Sequence, residues 1–95
     1  MSGGFFDYQQ YRIGQIADDI RLLIDTNHST EINKWGDRIG RGYPPEVIQR
    51  FRDAVAALRL AQVYAQRVDW LVSGDDGADS FLARLEEDLR DVAVR

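Results

Sequence analysis

The chain has 95 residues, of which 44% are hydrophobic, and its net charge is −4. This length suffices for one domain, and the hydrophobic content is too high for a disordered chain. Because the chain has no cysteine and a single histidine, disulfides, thiolate nucleophiles, zinc–thiolate sites and histidine-rich metal sites are excluded. We therefore expect one folded domain over residues 1–95, with no metal site and no cofactor.

The charge is unevenly distributed along the chain. Residues 34–67 carry seven basic and three acidic side chains, whereas the segments on either side are acidic. The overall negative charge argues against binding to duplex DNA or RNA, but the basic middle can attract a small anion. No signal peptide is recognisable at the N-terminus, and no run approaches the roughly 20 apolar residues of a membrane span. We expect a cytoplasmic protein that makes no membrane contact.

The first predicted helix covers about residues 8–25. Asp7 is a suitable N-cap with Gln10 as its capping-box partner, and isoleucine and leucine residues follow at helical spacing. Gly14 lies inside this helix, where it costs about 1 kcal/mol relative to alanine. Its presence indicates a close approach by another backbone.

A glycine-rich loop, residues 36–43, precedes the second predicted helix, residues 45–73. Pro44 and Pro45 favour a helix start, and the turn from Ser73 to Gly77 ends it. The last helix is predicted over about residues 80–93. All three elements are helical, so the sequence predicts an all-α protein with one long central helix packed against an N-terminal and a C-terminal helix.

The second helix carries two apolar stripes, and both stripes need covering. A helix of this length extends for about 43 Å, whereas a compact domain of this size has a radius of gyration of about 12 Å. One protomer of this size does not cover both stripes along a straight helix, so either the helix kinks or neighbouring subunits complete its packing. Of these two, we expect oligomerisation. The stripes contain, respectively, Phe51, Ala54, Leu58, Ala61, Ala65, Val68 and Val72, and Ala57, Leu60, Tyr64 and Leu71.

Two tyrosines near the N-terminus are the first candidate for ligand binding. Tyr8 and Tyr11 are three residues apart, and Arg12 follows directly. Tyr11 can pack against Phe6 as a hydrophobic staple, or one face of its ring can remain free. A free tyrosine next to an arginine can stack on a nucleobase while the arginine meets a phosphate.

Arg67 is the second candidate, because it falls within an apolar stripe between Tyr64 and Leu71. Such an arginine either pairs with a carboxylate or serves as a forked anchor for a phosphate. The sequence has no cysteine nucleophile, no P-loop motif and no distinct carboxylate pair. We therefore expect a binding protein and no enzymatic activity.

The segment around Tyr11, the stretch AQRVDWLVSGDDG with Arg67 and the acidic last helix resemble the phage-encoded anti-CBASS sponge proteins over residues 6–90. The resemblance implies an all-helical hexamer that sequesters cyclic oligonucleotide messengers of bacterial immunity without cleaving them. It also implies base stacking by Tyr11 at a cyclic dinucleotide site. A separate cyclic trinucleotide site would use Arg67 together with a threonine, for which Thr26 and Thr30 are the candidates.

The sequence departs from the family at a lysine, which in the family contacts the dinucleotide phosphates. The first helix has only Arg12 and Arg21 as basic residues, and Lys34 lies further on. The identity of the phosphate contact in the dinucleotide site is therefore open. An alternative function is an acidic protein-binding inhibitor or adaptor from a phage or mobile element, since eight carboxylates follow Val68.

Overall fold

The computed structural model describes residues 4–94, which form helices α1 (Gln10–Asp25), α2 (Pro45–Val72) and α3 (Ala78–Val94). The long helix α2 packs against both α1 and α3. Over the described residues there is no β-strand, and the only β-type pairing is an isolated bridge between Ile32 and Arg38. The predicted all-α class with a long central helix is confirmed. None of the helices in this part of the chain is long and apolar enough to cross a bilayer.

The ends of α2 follow from local sequence signals. Pro44 is extended, Pro45 occupies the first turn, and Glu46 lies at the positive end of the helix dipole. At the other end Gly74 has a φ of +85°, which suits glycine in the position that terminates a helix. The helix therefore matches the predicted range to within one residue, and α3 begins two residues earlier than predicted.

The start of α1 differs from the prediction. The helix begins at Gln10, and Gln9 occupies the capping position without a side-chain hydrogen bond. Asp7 and Tyr8 have φ values of 54° and 63°, so neither adopts the backbone conformation of the predicted cap and first helical residue. The predicted cap at Asp7 was wrong because hydrogen bonds to the end of α2 hold the preceding residues in a turn.

The buried residues of α1, which packs against α2, are small or polar. The two helices run antiparallel, since Gln10 donates a hydrogen bond to Gln66 and Arg59 pairs with Asp18. A Cβ atom on Gly14 would lie 2.7 Å from the side-chain oxygen of Gln62, so glycine is what admits this side chain. The prediction that another backbone approaches Gly14 was wrong, because the atoms nearest to this position belong to the side chain of Gln62.

The protomer is a single layer of helices. Its dimensions are 52 × 29 × 14 Å, and its radius of gyration of 17.3 Å exceeds the value of about 12 Å for a compact domain of this length. Within residues 4–94 the buried hydrophobic residues are Ala17, Ile48 and Val55. Because a layer little thicker than one helix of about 10 Å cannot enclose a core, the structure favours the predicted oligomerisation, which remains a prediction.

The connection between α1 and α2 is closed by Asn27, whose side chain is buried. The Asn27 amide donates to the carbonyl of Tyr43 over 3.0 Å, and its oxygen accepts the Tyr43 N–H over 2.8 Å. The Asn27 carbonyl also accepts the N–H of Gly42. Gly40 is buried against the backbone of Ser29 and Asn27. The predicted glycine-rich loop is therefore anchored at its C-terminal end to the end of α1.

Candidate ligand-binding site

Tyr8 and Tyr11 form an exposed aromatic pair at the start of α1. Their ring centroids are 6.2 Å apart and their planes differ by 30°. The two residues are 55% and 47% exposed, respectively, so the rings lie on the surface of the protomer. The two planes are inclined by 30° and about half of each residue is accessible, so a nucleobase can stack on a ring of this pair.

The turn that carries Tyr8 is attached to the C-terminal end of α2. The N–H of Phe6 donates to the Asp69 carboxylate over 2.9 Å, and the N–H of Phe5 donates to the Ser73 hydroxyl over 2.9 Å. Asp69 is only 4% exposed. A buried carboxylate without such a donor would be costly, so these bonds fix the turn and place Tyr8 beside Tyr11.

Replacement of Asp69 by alanine is expected to lower the free energy of unfolding by about 1–3 kcal/mol, because it leaves the Phe6 N–H without its acceptor. Asp69→Asn keeps an acceptor oxygen and should lose less. The measurement is chemical denaturation at one fixed protomer concentration, with Asp75→Ala as the control because Asp75 is exposed. Equal stability of the Asp69→Ala and Asp75→Ala variants would contradict this role.

Arg12 directly follows the tyrosine pair and is exposed. Its side chain forms no ion pair with a carboxylate among residues 4–94. An exposed guanidinium without a carboxylate partner is suited to contact a phosphate. Arg12 is thus the basic residue closest in sequence to the two tyrosines.

Arg67 is engaged within the protomer. Its Nε donates to the Asp88 carboxylate over 2.6 Å, and its guanidinium lies 4.7 Å from the ring centre of Trp70. The side chain is 14% exposed, which places the ion pair at the packed junction between α2 and α3. The sequence allowed two roles for Arg67, a partner of a carboxylate or an anchor for a phosphate. In the structure it is paired with a carboxylate. To anchor a phosphate, the Arg67 guanidinium must either divide its N–H donors between Asp88 and the phosphate or break its bond to Asp88.

Thr26 and Thr30 lie at the opposite end of α1 from the tyrosines. Thr26 donates its hydroxyl to the carbonyl of Leu22 over 2.8 Å and lines a cleft of about 670 Å³ together with Arg38 and Arg41. Thr30 is exposed and does not line this cleft. Fifteen residues of helix separate Tyr11 from Thr26, which corresponds to about 22 Å.

The structure therefore divides the predicted site residues into two groups. Tyr8, Tyr11, Arg12 and Arg67 lie at one end of the α1–α2 pair, since the neighbouring residues Gln10 and Gln66 are hydrogen-bonded there. Thr26 and Thr30 are at the other end. One protomer cannot bring Arg67 and either threonine to one small ligand, so such a site requires residues from more than one copy of the chain.

A further exposed aromatic residue was not singled out from the sequence. Trp35 is 74% exposed, and the ammonium group of Lys34 lies 4.7 Å from the centre of its ring. The turn is shaped by Asn33, whose side-chain oxygen accepts the N–H groups of Trp35 and Asp37. The sequence signal that could have identified Trp35 is a tryptophan within a polar stretch, between Asn33 and Gly36. Lys34 is also the lysine that follows the first helix in the sequence.

No protein-family description, curated protein or solved structure matches the chain. Within residues 4–94 there is also no group of three or more histidine, aspartate or glutamate side chains that could hold a metal ion. The geometry of the tyrosine pair and its neighbouring arginine is therefore the basis for assigning a function.

Proposed function

We propose that this protein binds cyclic oligonucleotide second messengers, cyclic dinucleotides or trinucleotides, and sequesters them without cleavage. In this role it acts as a phage-type immune-evasion protein in the cytoplasm of a bacterial host. The observation that carries the proposal is the exposed pair of Tyr8 and Tyr11, with ring centroids 6.2 Å apart. The resemblance to anti-CBASS sponge proteins agrees with this assignment.

The ligand class follows from the combination of flat and charged surfaces. Each aromatic–base stack contributes about 1–3 kcal/mol, and Arg12 adds a forked donor for a phosphate. A cyclic dinucleotide offers two bases and two phosphates in one compact molecule. A symmetric oligomer repeats the same tyrosine and arginine around an axis, so it can bind both halves of such a ligand with one kind of residue.

The proposed assembly is a homo-oligomer, with a hexamer expected from the resemblance. A protomer one helix thick exposes apolar side chains on its surface, among them Ile16, Leu22, Leu60 and Leu82. Contacts between copies would bury these side chains and would also bring Arg67 of one copy towards Thr26 or Thr30 of another. The trinucleotide site in this proposal is therefore a site between subunits.

The alternative of an acidic inhibitor has weaker support. Three of the eight carboxylates after Val68 are engaged within the protomer: Asp69 with Phe6, Asp76 with Arg84, and Asp88 with Arg67. The remaining five are exposed and show the dispersed arrangement of solvated helix faces. A nucleic-acid mimic would need these five groups to follow the spacing of a phosphate backbone.

Native mass spectrometry tests the proposed function. We expect an oligomer that takes up a small, fixed number of cyclic dinucleotides or trinucleotides, with unchanged ligand mass after prolonged incubation. Linear dinucleotides of the same bases serve as the control, because they lack the closed ring and bind at a higher entropic cost. Absence of uptake at micromolar ligand, or release of linear products, would contradict the proposal.

A further inference from the structure

A second cleft lies along α2. It has a volume of about 730 Å³ and is lined by residues of α1, α2 and the end of α3. Three of its lining residues are arginines: Arg21 from α1, and Arg52 and Arg59 from α2. The two arginines of α2 are seven residues apart, which places them on one face of the helix. None of the three belongs to the tyrosine site.

Two of these arginines form no ion pair in the described part of the chain. Arg59 pairs with Asp18, whereas Arg21 and Arg52 form no ion pair with a carboxylate among residues 4–94. The lining contains one carboxylate, that of Asp25. Counting Asp18 with its partner, the group has three positive and two negative charges. A guanidinium on the wall of a cleft is a forked donor that matches a phosphate better than it matches water.

The remainder of the cleft is apolar enough to hold an organic group. Ile24, Val55, Val63 and Val92 line it, and its volume lies within the range of about 300–1,000 Å³ of small-molecule sites. Inorganic phosphate alone would leave most of this space empty. A phosphate ester with an apolar ring system fits both the charges and the aliphatic wall, and the Asp25 carboxylate can accept hydrogen bonds from sugar hydroxyls.

We propose that this cleft, defined by Arg21, Arg52 and Arg59, is a binding site for a nucleotide-sized phosphate ester and is separate from the tyrosine pair. Ten residues of helix lie between Tyr11 and Arg21, which corresponds to about 15 Å. A mononucleotide cannot span this distance and stack on the tyrosines at the same time. The cleft therefore gives each protomer a second ligand site, which goes beyond the proposed sequestration of cyclic nucleotides.

Isothermal titration calorimetry of the full chain at low salt tests this proposal, with ADP, inorganic pyrophosphate and adenosine as probes. We expect ADP to bind, pyrophosphate to compete with it, and adenosine to bind least well. Arg52→Ala and Arg21→Ala should each weaken ADP binding by about 10-fold or more, because each removes a charge-assisted contact. Arg52→Lys keeps the charge but loses the fork, and its affinity should be intermediate.

Arg50→Ala is the matched control. Arg50 is an exposed arginine two residues from Arg52 on the same helix, it pairs with Asp53, and it does not line the cleft. Its replacement should leave ADP binding unchanged. Circular dichroism of each variant verifies the helical content, and loss of these exposed arginine side chains should not change it.

Three results would overturn the proposal. The first is the absence of ADP and pyrophosphate binding below about 1 mM, which corresponds to a binding free energy of about −4 kcal/mol. The second is equal ADP affinity in the Arg52→Ala, Arg21→Ala and Arg50→Ala variants. The third is loss of ADP binding in Tyr11→Ala, which would place the ligand on the tyrosine pair. Cyclic dinucleotide binding measured in parallel distinguishes failure of this site from failure of the proposed function.

Discussion

Replacement of Tyr11 by alanine is expected to weaken cyclic dinucleotide binding by about 10- to 100-fold, since one base–aromatic stack contributes about 1–3 kcal/mol. Tyr11 is 47% exposed and stands next to Tyr8, so the substitution removes an accessible ring face and leaves little cavity behind. The helical content should therefore be preserved. The measurement is the dissociation constant by titration calorimetry, with oligomeric state checked for each variant.

Two variants sharpen the test of Tyr11. Tyr11→Phe keeps the ring and should retain most of the affinity, because stacking does not need the hydroxyl. Tyr64→Ala removes a tyrosine of similar exposure, 45%, from α2. It should leave the dissociation constant unchanged when the oligomeric state is retained, which is checked because Tyr64 belongs to an apolar stripe expected to pack between copies. If the Tyr11→Ala and Tyr64→Ala variants both bind the cyclic dinucleotide with the affinity of the original chain, Tyr11 is not part of the binding site.

Replacement of Gly40 by alanine is expected to lower the free energy of unfolding by about 1–3 kcal/mol, the usual cost of overpacking a position with a fixed backbone beside it. A Cβ at this position would lie 2.6 Å from the Ser29 nitrogen and 2.8 Å from the Asn27 carbonyl oxygen. The chain would have to move Asn27, whose side chain holds Tyr43. Thermal and chemical denaturation at one protomer concentration measure the loss.

Gly77→Ala is the control for Gly40→Ala. Gly77 has open space where its Cβ would be, and its φ does not lie in the left-handed region. Its substitution should change the free energy of unfolding by less than about 0.5 kcal/mol, as is usual for surface positions. A Gly40→Ala variant as stable as Gly77→Ala would show that the contact between the loop and the end of α1 is loose in solution.

Local signals in the sequence predicted the ends of α2 well and the start of α1 poorly. The ends of α2 depend on Pro45 and Gly74, whose backbone preferences act at their own positions. The start of α1 depends on Phe6 and Asp69, which are 63 residues apart. A capping rule that considers only neighbouring residues cannot include this bond. Asn27 and Tyr43 illustrate the same limit across 16 residues.

The packing face of α1 was also determined by its partner helix. The periodicity emphasised the isoleucines together with Ala17. Ala17 is buried, but the other buried residues of α1 are Gln10 and Gly14, and Ile16 is exposed. Small residues permit the two helices to approach, and Gln62 then occupies the space beside Gly14. Hydrophobicity alone does not distinguish a face used within the protomer from one available to other copies.

The candidate site was partly predictable. The three-residue spacing of Tyr8 and Tyr11 indicated neighbouring rings, although Tyr8 reaches this position from a turn instead of a helix. For Arg67 the sequence left two partners open, because Asp88 approaches it only after α3 folds back on α2. The cleft with Arg21 and Arg52 could not be predicted, since it depends on the antiparallel register of α1 and α2.

The different surroundings of the two tryptophans have a spectroscopic consequence. Trp35 is highly exposed, whereas Trp70 lies beneath the Arg67 guanidinium at the α2–α3 junction. Trp35 should therefore emit at longer wavelength and be quenched by iodide, while Trp70 should be shielded. In a Trp35→Phe variant, the remaining emission reports on the α2–α3 junction alone. The chain thus contains an intrinsic probe of whether Arg67 leaves Asp88 when a ligand binds.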